Sequence, residues 1–165
     1  MPALIPGTQA PEFILPAIDG QPWSLKQALA QGPLVAAFFK VSCPVCQYAF
    51  PFLERIFQSS AGKKVTILGI SQDNRRDTQN FVKEFGINFP VLLEDTSSYP
   101  VSNAYRLTNV PSIFWIASDG EIELSSIGWS RRDFEQIHAK VAELNGAAPQ
   151  SLFHPGEEVR DFRAG

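Results

Sequence analysis

The chain has 165 residues, 44% of them hydrophobic and 19% charged, which suits one globular domain with a substantial core. Its net charge of -3 gives no electrostatic reason to expect nucleic acid or an anionic membrane surface as partner, because both call for concentrated positive charge. The longest unbroken apolar run, Leu34 to Phe39, is far short of the roughly 20 residues that span a bilayer.

The opening MPALIPGTQAPEF has neither the basic region nor the apolar region of a secretory signal. Cytoplasmic residence is therefore expected, or periplasmic residence if a leader once preceded this chain. PEFILPAIDGQPWSL (11–25) reads as two short extended pieces about Asp19-Gly20, an N-terminal hairpin capped by Trp23. PLVAAFFKV (33–41) is short, almost wholly apolar and preceded by Gly32, as a buried central strand should be. Beyond it Phe50, Leu53, Ile56 and Phe57 recur at spacings of three and four, predicting a helix with one buried face. Pro44 suits the first turn of that helix, whereas Pro51 lies deeper and is expected to kink it.

KVTILGIS (64–71) is the second predicted strand, RRDTQNFVKEFG (75–86) a helix closed by Gly86, and FPVLLED (89–95) the third strand. SYPVSNAYRL (98–107) is a short helical segment. PSIFWIAS (111–118) and EIELSSIG (121–128) flank Asp119-Gly120, a strong hairpin signal. The last helix starts at Ser130, with Asp133 in near capping-box spacing, buries Phe134, Ile137, Val141 and Leu144, and stops at Gly146. Residues 147–165 have no periodicity and are read as a tail draped over the body. The pattern is an α/β domain over residues 1–146 followed by a tail over 147–165. The basic pairs Lys63-Lys64, Arg75-Arg76 and Arg131-Arg132 fall at element ends, where solvated surface charge is the expected role.

Both cysteines of the chain, Cys43 and Cys46, lie where the first strand hands over to its helix. In a reducing compartment such a close pair points to catalysis or metal binding rather than a structural staple. A zinc site needs four ligands, and only His138 and His154 could supplement the pair, from the last helix and the tail, so no metal is expected. A helix N-terminus offers unpaired N–H groups and partial positive charge, which favour a thiolate. Cys43 is then the nucleophile, and Cys46, one turn further in, is the resolving thiol that attacks the mixed disulfide.

CPVC at the junction, a helix proline five residues after the second cysteine, and the later NVPSIFWIASDGEI together resemble the active site of the thioredoxin-like superfamily. The opening GTQAPEFILPAIDGQPWSL and the extra segment 74–95 narrow the resemblance to the redoxin branch, TlpA-like and AhpC/TSA peroxiredoxin-like, from about Pro6 to Asn145. The resemblance implies a thioredoxin-like fold: a central mixed β-sheet flanked by helices, with an N-terminal hairpin and an inserted helix–strand unit. It places a cis proline at Pro111 and turns the Val110 backbone toward a substrate groove. The implied activity is thiol–disulfide exchange with protein or small-molecule disulfides. No bound cofactor is implied, and the electrons come from an external thiol donor of thioredoxin or glutathione type.

Several positions depart from the family pattern. Ser42 stands where a tryptophan is usual, and Ala37 and Ala49 stand where an acid is usual; no carboxylate occurs between Asp19 and Glu54. The base that helps deprotonate Cys46 would then be a substitute such as Glu94 or Asp95, brought in by the inserted strand. Lys40, three residues before Cys43, would favour the thiolate if its side chain turned toward it. A thiol peroxidase would use Cys46 as its reactive thiol, but the threonine and proline of that family fall on Cys43 and Lys40. A non-catalytic binding module on the same fold is the remaining alternative, and an exposed Phe39 or Trp115 would favour the docking of an extended peptide.

Overall fold

The computed structural model describes residues 2–60, 64–148 and 150–165; Lys63 of the first basic pair lies outside them. The hairpin comes first, as β1 (Ile14–Pro16) paired antiparallel with β2 (Pro22–Ser24). Its turn is closed by Asp19, whose carboxylate accepts from the Gln21 N–H at 2.9 Å. Ser24 then caps the short helix α1 (Leu25–Leu29) in a reciprocal capping box with Gln27.

β3 (Leu34–Phe39) is buried at every position, as a strand covered on both faces must be. After α2 (Pro44–Ser59), β4 (Thr66–Ser71) runs parallel to β3. α3 (Arg75–Phe85) follows, ended by Gly86 in the left-handed conformation. β5 (Val91–Leu93) then pairs parallel to β4 at one edge. It is shorter than the predicted 89–95; at its C-terminal end the Asp95 carboxylate accepts from the Ser97 N–H in a turn that follows the last bond to β4, from the Glu94 N–H to the Ser71 carbonyl. α4 (Pro100–Ala104) leads to β6 (Ser112–Ile116) and β7 (Ile122–Ile127), an antiparallel hairpin about Asp119-Gly120. The sheet order is β5-β4-β3-β6-β7, with β6 antiparallel to β3.

Alternation along β3 separates two apolar layers. Val35, Ala37 and Phe39 face a layer with α2, α3 and the last helix α5 (Arg131–Leu144), while Leu34, Ala36 and Phe38 face the N-terminal segment, α1 and α4. α5 is capped by Ser130, whose hydroxyl accepts from the Asp133 N–H at 3.2 Å, and buries Phe134, Ile137 and Val141. Leu144, expected on that buried face, is exposed in the final turn. α2 runs unbroken through Pro51.

The tail is anchored rather than loose. Leu152 and Phe153 are buried, with the Phe153 ring 5.5 Å from that of Phe52 on α2. Further on, β9 (Phe162–Arg163) pairs antiparallel with β8 (Trp129–Ser130), the step between β7 and α5. Among the described residues, no helix is long and apolar enough to cross a membrane.

Candidate active site

The C-terminal ends of β3 and β4 lie side by side, and the loop 40–43 leaves β3 there to start α2. Cys43 is the N-cap residue: its Sγ accepts from the Cys46 N–H at 3.2 Å, the task a serine or aspartate oxygen performs at an ordinary cap. The positive end of a sixteen-residue helix therefore points at this sulfur. Cys43 is partly exposed and Cys46 fully buried.

On its other side the Cys43 thiol donates to the Val110 carbonyl at 3.5 Å, and the Val110–Pro111 peptide is cis. The two cysteines and the Val110-Pro111 step, distant in sequence, thus meet at one point. The Cys46 thiol is held well above its ordinary range, first by burial and then by its hydrogen bond and charge interaction with Cys43, while hydrogen bonding from the Lys40 backbone pulls the other way. At neutral pH Cys46 therefore remains S–H.

The structure places the acids 94 and 95 away from this pair. Both Glu94 oxygens accept from Ser102, one from its N–H and one from its hydroxyl. Val91 faces the α2 layer and Leu92 the opposite one, so Glu94, two residues after Leu92, follows it to the far face beside Val101. Asp95 is exposed, and hydrogen bonds from Ser97 hold its carboxyl below the usual range. Among the described residues, no carboxylate acts on the Cys46 thiol. The Lys40 ammonium turns to the Tyr99 ring, 5.6 Å from its centroid. Phe39 and Trp115 are buried and offer no docking surface.

The acid that does reach the loop is Asp73, which the sequence reading passed over. Its Oδ2 accepts from the Val41 N–H at 2.8 Å, and the Val41 carbonyl accepts from Gln47 Nε2 at 2.8 Å. Val41, two residues before Cys43, is thereby held through both its backbone N–H and its carbonyl. Asp73 is itself oriented by a bond from its N–H to Ser71 Oγ at 3.0 Å, and that hydroxyl meets Thr78 Oγ1 at 2.7 Å. The available signal was position: SQDN follows the second parallel strand, whose C-terminal end must lie next to that of the first.

The chain is similar to known thiol-disulfide oxidoreductases in sequence and in fold. The chain is 25% identical over 139 residues to the thiol-disulfide oxidoreductase ResA of Bacillus cereus, covering 84% of this chain and 78% of that one. Among solved structures, the thioredoxin domain of a thiol-disulfide oxidoreductase from Bacteroides vulgatus superposes with a TM-score of 0.74 at 20% identity, over 86% of this chain and 99% of that one. A thiol:disulfide interchange protein of the thioredoxin family from Chlorobium tepidum gives 0.68 at 25% identity, over 84% and 97%. The fold is thioredoxin-like. The AhpC/TSA family model matches residues 6–125, and with the cysteine pair, the helix cap and the cis proline assembled within one fold, the chain belongs to the AhpC/TSA family.

Proposed function

We propose that Cys43 and Cys46 are the working dithiol of a thiol–disulfide oxidoreductase. The observation that carries this reading is the Cys43 sulfur at the helix cap, partly open to solvent, with the Cys46 N–H bonded to it and the Cys46 thiol buried beneath. The named activities of the relatives support it. In the reducing direction the Cys43 thiolate attacks one sulfur of a substrate disulfide, forming a Cys43 mixed disulfide and expelling the other sulfur as a thiolate. Cys46 then loses its proton and attacks Cys43 Sγ, forming the Cys43–Cys46 disulfide and releasing the second substrate thiol. Two electrons have passed to the substrate, and an external thiol of thioredoxin or glutathione type restores the dithiol.

The Val110 backbone, beside Cys43, forms one wall of the substrate groove, and Pro111 supports this by presenting no N–H of its own. Cys46 is unsuited to attack peroxide, since the thiolate is the nucleophile and burial keeps this group protonated and out of reach. The test is a redox titration against glutathione, read by thiol alkylation and mass spectrometry, with a hydrogen peroxide arm. A single Cys43–Cys46 disulfide with a defined midpoint, whose value also sets the direction of electron flow, is expected. Rapid conversion of Cys46 to a sulfenic acid would transfer the function to a peroxidase, and the lack of any disulfide would leave a binding role.

A further inference from the structure

The end of the described chain returns to the reactive cysteine. Glu157 is gripped by the Arg55 guanidinium of α2 through two bonds of 2.7 Å. The Arg160 N–H then donates to the Tyr48 hydroxyl at 3.1 Å, and its carbonyl accepts from Trp129 Nε1 at 2.6 Å. Phe162 and Arg163 form β9 against β8, with the Arg163 guanidinium 5.1 Å from the Tyr48 ring centroid. Gly165 accepts from Asn109 Nδ2 at 3.0 Å and lies so close to Val110 that a Cβ there would come within 2.4 Å of its carbonyl oxygen. That carbonyl is the one receiving the Cys43 thiol. Gly128 admits the strap from below, since a Cβ on it would meet the Arg163 carbonyl at 2.4 Å.

We propose that residues 157–165 are a specificity strap that fills the Val110 side of the groove, so that this protein reduces low-molecular-weight disulfides in preference to disulfides in extended polypeptides. The inference rests on the thiol–disulfide reading above. An extended substrate chain needs the backbone edge at Val110, and the strap already occupies it. A small disulfide needs only the Cys43 sulfur, which stays partly open to solvent.

The test compares wild-type protein with Glu157→Gln, Arg163→Pro and the double variant, using dithiothreitol as donor and either oxidised glutathione or insulin as acceptor. Arg163→Pro removes the cation over Tyr48 and the backbone N–H beside Trp129. Amide exchange of residues 157–165 reports how far each variant opens the strap. Insulin reduction is expected to rise with that opening, by about tenfold in the double variant, while reduction of oxidised glutathione stays unchanged. An insulin rate that is flat across variants with different degrees of opening would overturn the proposal, as would a parallel rise with both acceptors. If no form of the protein reduces either acceptor, the thiol–disulfide reading itself falls, and the strap proposal with it.

Discussion

Replacing Asp73 by alanine leaves the Val41 N–H, two residues before Cys43, without its acceptor. A hydrogen bond to a charged acceptor contributes about 1.5–3 kcal/mol net. Because Asp73 and Val41 are both only half-buried, so that water can replace part of what is lost, the lower half applies, about 1.5–2 kcal/mol. That corresponds to a ten- to thirty-fold easier opening of the loop. Asp73→Asn keeps an oxygen acceptor, and since a neutral bond is roughly half as strong as a charge-assisted one, its cost should be about 1 kcal/mol. Urea unfolding followed by the fluorescence of the three tryptophans reads the stabilities, and kcat/KM for oxidised glutathione reads the loop. The expected pattern is a larger loss in both for alanine than for asparagine. If asparagine costs as much as alanine, or alanine costs less than about 0.5 kcal/mol, the Asp73–Val41 bond is not what holds the loop.

Cys46→Ser should accumulate a Cys43–glutathione mixed disulfide visible by mass spectrometry, since the attack that releases it is gone. Cys43→Ser should form no adduct, because the remaining thiol is buried and protonated. The Arg55–Glu157 pair should be acid-labile in a defined window. Arg55 holds the Glu157 carboxyl down to about 2, against an ordinary 4.5, so the stabilisation is fully present above about pH 4.5 and is lost as pH falls toward 2. Protection of the amides of residues 157–163, taken relative to their intrinsic exchange rates at each pH, reads the loss, and Glu157→Gln should remove the fall in protection that tracks this carboxyl. Phe50→Ala removes a fully buried ring whose centroid lies 4.4 Å from Phe39, 5.7 Å from Phe81 and 5.8 Å from Phe89. Calorimetry should show a loss of about 4 kcal/mol, or about 10 °C in Tm; a shift below about 3 °C would mean that α2 is not tightly packed there.

Elements whose side chains must satisfy a period were legible. The all-apolar β3, the three-and-four spacing on α2, the Asp119-Gly120 turn and the Ser130 cap each encode a local geometry that the structure reproduces. CPVC and the later Val110-Pro111 marked two halves of one site because both carry special residue types. Glu94 misled because sequence nearness to an inserted strand says nothing of which face a residue takes, and one position decides that in a strand. Asp73 escaped notice because its partner is a backbone N–H, which has no sequence signature. The tail was read as draped over the body, but its anchors were not legible for a related reason: they are single groups, Phe153, Glu157 and backbone groups at Arg160 and Asp161, at no regular interval.

By itself, then, the sequence determined the α/β order of elements, the placement of Cys43 ahead of Cys46 on a helix start, and the proline that faces them. These follow from local periodicity and from chemistry that few residue types can perform. Only the tertiary structure decided that Glu94 turns away from Cys46 to Ser102, that Asp73 holds the loop at Val41, and that Gly165 comes to rest against Val110. Those outcomes depend on which chain segments distant in sequence meet at the ends of β3 and β4, and on the burial that results, which no single stretch of residues encodes.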